Sequence, residues 1–66
     1  MPVIRIATHP LSQDVKTRLI KELTDTAVDI TKVPADKFVV FIEEFDNGSI
    51  GLAGKTRAEI VAGAPV

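Results

Sequence analysis

The sequence predicts an α/β fold: one β-α-β unit, then a short C-terminal hairpin, with the sheet completed by oligomerisation. Three observations carry this. A β-branched run opens the chain, VIRIAT from Val3 to Thr8. An amphipathic stretch follows, and then Phe38 to Ile42, a run that is apolar at every position. Strand, helix, strand in that order is the parallel unit with a right-handed crossover. A strand covered on one face alternates, whereas an unbroken apolar run has cover on both. One helix covers one face of so small a sheet, so the other face needs a second subunit.

Size points the same way. The 66 residues make one domain, 1–66, and a chain this short buries only about 60% of its unfolded surface. Disulfides, a structural metal or oligomerisation usually compensate. With no Cys and a single His, His9, disulfide and zinc frameworks have no ligands. Yet 45% of the residues are hydrophobic, a large apolar supply for so small a body. Oligomerisation is the remedy left.

Each element has its own signals. Pro2 precedes the first strand, where a missing N–H is tolerated. His9-Pro10-Leu11 is a short connection, and Ser12 is an N-cap with Asp14 in the first turn answering the helix dipole. From Gln13 to about Lys32 the apolar residues Val15, Leu19, Leu23, Ala27 and Ile30 recur at three- and four-residue steps, widened by Ile20. Asp14–Arg18 and Lys21–Asp25 are i,i+4 pairs on the wet side. Pro34 disfavours helical geometry at Val33 and ends the helix. Asp46-Asn47-Gly48-Ser49 is a turn, and Ile50 to Lys55, with two glycines, suits a hairpin or an intersubunit edge. Residues 62–66 carry neither charge nor periodicity and read as a flexible tail.

Charge and composition exclude several functions. The net charge is −1 with both signs interspersed, and no Lys/Arg cluster tracks a phosphate backbone. Only Phe38, Phe41 and Phe45 could stack on bases, which argues against nucleic acid. No apolar run reaches membrane-spanning length and no basic-then-apolar leader opens the chain. The expected compartment is therefore the cytoplasm, with no membrane partner.

Few residues offer chemistry. His9 alone makes no nucleophilic triad. Glu43 and Glu44 are adjacent, and neighbours on a strand point to opposite faces, so one is expected to be solvated and the other to pair with a cation. Gly51 and Gly54 lack the strand-to-helix junction of a phosphate loop. Pro2 differs in kind. Met1 before a small residue is normally removed, which would make Pro2 the N-terminus and its nitrogen a secondary amine. A solvated α-amine titrates near 7.7–8.0, and an apolar pocket lowers that value. The neutral amine is then a general base that can return the proton as an acid. The alternative is that Pro2 is an ordinary chain end.

P-V-I-R-I from Pro2, K-x-x-L-I-K-E-L in the helix, F-V-V-F-I-E-E and G-x-I-G-L-A-G-K follow one another over Pro2 to about Glu59. Together they resemble the 4-oxalocrotonate tautomerase family. The resemblance implies a tautomerase-type β-α-β protomer, pairing into a four-stranded sheet and then into a hexamer as a trimer of dimers. It implies cofactor- and metal-free keto–enol proton transfer on a 2-oxo acid or related enol, with Pro2 as base and acid. Two family arginines are missing. One precedes the helix cap, where Pro10-Leu11-Ser12 is a residue shorter, and the other falls on Val39. An aromatic wall falls on Ile50. The candidate site is thus Pro2 with Val39 and Ile50 lining the pocket. Lys37, two residues before Val39 and so on its face, and His9 are possible anion or carbonyl partners. Each has a plainer reading: Lys37 as a solvated strand-entry residue, His9 as a loop residue against Pro10. Arg5 and Lys55 are weaker candidates. A different class also fits, a non-enzymatic oligomeric binding protein on the same scaffold.

Overall fold

The structure, a computed structural model, describes residues 1–63. β1 (Val3–Thr8) leads through a short connection to α1 (Gln13–Thr31). A 3-10 turn (Ala35–Lys37) precedes β2 (Val39–Glu44), and β3 (Gly51–Leu52), β4 (Lys55–Thr56) and α2 (Arg57–Gly63) complete the order. β1 and β2 pair in parallel, in register from Val3 opposite Val39 to Thr8 opposite Glu44. The small hairpin is antiparallel, with Gly51 opposite Thr56 and Leu52 opposite Lys55. The β-α-β unit and hairpin agree with the sequence.

Local chemistry explains the boundaries. Ser12 caps α1 as expected, its Oγ accepting the Val15 N–H at 3.3 Å. The helix ends at Lys32, which adopts a left-handed conformation (φ 63°) and donates its N–H to Val28 O at 2.9 Å. Lys21 pairs with Asp25 at 2.5 Å. Arg18, however, turns to Glu22 at 2.6 Å rather than back to Asp14. That gives the acidic partner to the side away from the first turn, where Asp14 already faces the helix N-terminus. Ile30 also departs from the expected stripe and is 73% exposed. At 1.5 Å per residue, α1 is about 28 Å long, whereas a six-residue strand spans about 20 Å, so the last turn overhangs the sheet.

α2 was not anticipated. Thr56 Oγ1 accepts the Glu59 N–H and donates to Glu59 Oε1, both at 3.1 Å. Thr-x-x-Glu is a capping-box spacing and is the local signal for this helix. Ala62 and Gly63, assigned by sequence to a tail, belong to α2; the remainder of that tail lies outside the described residues. Arg57 anchors the helix start, donating its N–H to Ile50 O at 2.7 Å and Nη1 to Asn47 Oδ1 at 2.9 Å.

The sheet has one covered and one open face. Ile4, Ile6 and Thr8 are half-buried while Val3, Arg5 and Ala7 are exposed. Across the register, Val40 and Ile42 share the covered face, and Val39, Phe41 and Glu43 share the open one. Lys16 on α1 reaches Glu44, which places the helix over the Val40–Ile42–Glu44 side. On the open face the Arg5 guanidinium lies 4.8 Å from the Phe41 ring centroid and 3.5 Å from Glu43. Among the described residues no hydrophobic side chain is fully buried. The Cα radius of gyration is 15.4 Å, against about 11 Å for a compact globule of this length. The accessible surface is 5073 Å2, against about 4,100 Å2 for a monomer of this mass. This protomer leaves its sheet open.

Candidate active site

The sequence-selected residues fall at two opposite ends of the sheet. At one end, Pro2 directly precedes β1. Its carbonyl accepts the Val39 N–H at 3.0 Å, so the β1–β2 ladder extends one bond beyond the strand to hold it. Pro2 is half-buried, while Met1 beyond it is 87% exposed. Val39, on the open face opposite Val3, therefore adjoins Pro2 at the sheet end.

Lys37 is close to this end in the chain, but the reason for placing it on the face of Val39 fails. Lys37 closes the 3-10 turn, its N–H donating to Pro34 O at 3.0 Å, and β2 begins only at Val39. Strand alternation does not extend back through a turn of three residues per repeat. Its side chain is exposed.

At the other end lie His9 and Ile50. Six residues at about 3.3 Å each put Thr8 roughly 20 Å from Pro2. Ile50 lines an open cleft of ≈ 310 Å³ with Ala7, Thr8, Phe45 and Ser49. Within one protomer the structure thus does not bring Ile50 or His9 to Pro2. His9 Nδ1 lies 3.0 Å from Pro10 O. A carbonyl oxygen can only accept, so Nδ1 carries a proton and Nε2 is the ring nitrogen left for another partner. In the neutral ring Nε2 accepts; it donates to a carbonyl only as imidazolium.

Glu43 and Glu44 do point to opposite faces, but neither is left to solvent alone. Glu43 pairs with Arg5 on the open face. Glu44 accepts Lys16 Nζ at 2.7 Å and the Leu11 N–H at 2.8 Å. The Lys16 bond, then the Leu11 N–H, holds the Glu44 carboxyl below its ordinary range. These contacts join residues 28 and 33 positions apart, so no local spacing reveals them. Arg5 is committed to Phe41 and Glu43, and Lys55 lies in β4. Among the described residues no group of three or more His, Asp or Glu side chains is arranged to hold a metal ion. No described helix is long and apolar enough to cross a membrane.

Comparison with known proteins places this geometry. The family described as "Tautomerase enzyme" matches residues 2–59. Among solved structures, TomN, a 4-oxalocrotonate tautomerase homologue in the tomaymycin biosynthetic pathway, is 26% identical with a TM-score of 0.88, covering 92% of this chain and 95% of its own. DmpI from Helicobacter pylori is 27% identical with a TM-score of 0.80, covering 88% and 98%. A heterohexameric 4-oxalocrotonate tautomerase from Chloroflexus aurantiacus J-10-fl shares the fold at 24% identity, with a TM-score of 0.85 over 91% and 98%. No curated protein matches the chain by sequence. With its β-α-β unit and hairpin, and the match from Pro2 through the start of α2, the chain belongs to the tautomerase family.

Proposed function

We propose that this protein is a cofactor-independent tautomerase that moves a proton within an enolisable 2-oxo acid or related enol, with Pro2 as general base and acid once Met1 is removed. The observation that carries this is the Val39–Pro2 hydrogen bond of 3.0 Å. It fixes the pyrrolidine at the sheet end, while the ring itself leaves the lone pair little freedom to lose. The proton taken from one carbon or oxygen of the substrate returns to another, so no redox partner enters the balance.

Assembly completes the site. A two-fold axis perpendicular to the strands reverses the partner strand, so edge-to-edge pairing about it is antiparallel. The end of the partner carrying His9 and Ile50 is then brought toward Pro2, across the roughly 20 Å that separates the two ends within one protomer. The open face supports an oligomer, and six subunits is the count the family resemblance implies. In that assembly Ile50 and Val39 exclude water from the amine, while Lys37 and His9 supply polar contacts to the substrate, Lys37 from its 3-10 turn rather than from the strand face of Val39. Apolar residues where the family has arginine and an aromatic ring favour a monoacid enol over a dicarboxylate.

The direct test is ultraviolet decay of enol substrates with wild type and Pro2→Ala, alongside intact mass. Turnover that requires Pro2 and a chain lacking Met1 supports the enzyme. An oligomer inert toward every enol would instead support the non-enzymatic binding protein, to which the apolar Val39 also lends itself.

A further inference from the structure

Glu44 touches His9's surroundings through a single peptide group. Its Oε2 accepts the Leu11 N–H at 2.8 Å. The carbonyl of that same peptide, Pro10 O, lies 3.0 Å from His9 Nδ1 and accepts its proton. Its Oε1 is occupied by Lys16 Nζ at 2.7 Å. The side chains of Lys16 and Glu44 are 23% and 30% exposed, the most sheltered ion pair among the described residues. One residue on, the Phe45 N–H donates to Thr8 O at 2.9 Å. The connection His9-Pro10-Leu11 is therefore pinned at Thr8 by the ladder and at Leu11 by Glu44, with the imidazole between the pins.

We propose that Glu44 is a positioning residue, acting on His9 through the Pro10–Leu11 peptide. A carboxylate on the peptide N–H polarises the group and makes its carbonyl a better acceptor, because hydrogen bonds in a chain strengthen one another. That carbonyl then holds the His9 ring in the Nδ1–H tautomer and turns Nε2 outward, beside the cleft wall formed by Thr8 and Phe45. In that tautomer Nε2 is an acceptor, and it is the atom that takes the hydrogen bond of the substrate's enol hydroxyl. The role rests on the tautomerase function proposed above, and Lys16 serves it only by holding the carboxylate in place.

The test is a double-mutant cycle of Glu44→Ala and His9→Ala, read as kcat and KM on a monoacid enol, with 15N NMR of the His9 ring. Glu44→Ala is expected to lower kcat about tenfold with KM little moved, the scale of one charge-assisted hydrogen bond. In the His9→Ala background the same change should cost less than about twofold, the non-additivity of residues acting as a unit. Wild type should show the Nδ1–H tautomer, and Glu44→Ala a shift toward Nε2–H. Glu44→Gln, which keeps an acceptor for the Leu11 N–H, should retain the wild-type tautomer and covers the case in which the alanine variant misassembles. Breaking the exposed Arg18 pair with Glu22→Gln should change none of these readings. Additive costs, or an unchanged tautomer in Glu44→Ala, would overturn the positioning role while Pro2→Ala still abolishes turnover. Full turnover in Pro2→Ala would overturn the reading on which the role rests.

Discussion

The two ends of the sheet are built on different principles. At the Pro2 end, one backbone hydrogen bond and an apolar neighbour hold a residue whose proposed chemistry depends on being a free terminus. At the His9 end, a carboxylate, an ammonium and a peptide group fix a short loop beside a cleft. The first is poor in polar partners and suits a base that must stay uncharged. The second is rich in them and suits a group that must hold one orientation. The proposed proton-transfer site draws on both, and one protomer keeps them about 20 Å apart. The open face between them is what assembly has to cover.

The largest effect is expected at Pro2. Pro2→Ala should lower kcat/KM by about 10²- to 10⁴-fold, the usual contribution of a positioned acid–base group, in the ultraviolet assay. In wild type the acid limb of kcat/KM should follow the 15N titration of the Pro2 amine at a midpoint below the solvated α-amine value. A retained Met1 in the active protein would break the comparison at its root.

Next comes the open face. Phe41 is 44% exposed in the protomer and lies under Arg5. Burying a side chain of this size contributes about 1.5–3 kcal/mol per copy, and a symmetric assembly repeats that in every subunit. Phe41→Asp should convert a compact oligomer into monomers in sedimentation velocity and lose activity with it. A wild type that stays monomeric and folded at micromolar concentration would remove the reason for bringing the two ends together.

A smaller shift is expected from Val39→Arg. A restored guanidinium offers the bidentate contact that Lys37 cannot reproduce. The ratio of kcat/KM for the dicarboxylate 2-hydroxymuconate over the monoacid phenylenolpyruvate should rise about 10- to 100-fold, one charge-assisted contact's worth. A wild type already efficient on the dicarboxylate would point to another cation, and Lys37→Ala and His9→Ala would then identify it.

Acid stability sharpens the His9 end. Because the folded-state value of Glu44 is lowered, its contribution is fully present above the unfolded carboxyl value and is lost as pH falls through the folded one. Thermal melts should show Glu44→Gln less stable than wild type near neutrality, with the two converging at low pH. The smallest effect is local: Ala53 sits at φ 53° beside Gly54 at φ 81° in the hairpin turn. A side chain at positive φ costs about 1–2 kcal/mol, so Ala53→Gly should raise the melting temperature slightly and leave turnover alone.

Much of this molecule is legible in short stretches of chain. The unbroken run at Phe38 to Ile42, the Ser12 cap and the turn at Asp46-Asn47-Gly48-Ser49 each state their conformation through nearest neighbours, which is why strands, helix and hairpin could be read in order. The Thr56–Glu59 capping box was equally local, although it takes the observed helix to show its weight. Pro2 stands out because its chemistry depends only on its place in the chain.

What the linear order could not contain is distance across the fold. Glu44 meets Leu11 and Lys16 because a parallel register and a crossing helix bring residues about thirty positions apart within a hydrogen bond, and no spacing rule encodes that. Lys37 lost its face because three residues preferred a 3-10 turn, and strand alternation holds only where the ladder exists. Within one protomer Pro2 and Ile50, expected to line one pocket, lie at opposite ends of the sheet, since a six-residue strand has a fixed length whatever its side chains are. Composition and periodicity determined the elements and the need for a partner. Register, helix placement and strand length decided which side chains meet, because those depend on contacts that exist only once the chain has folded.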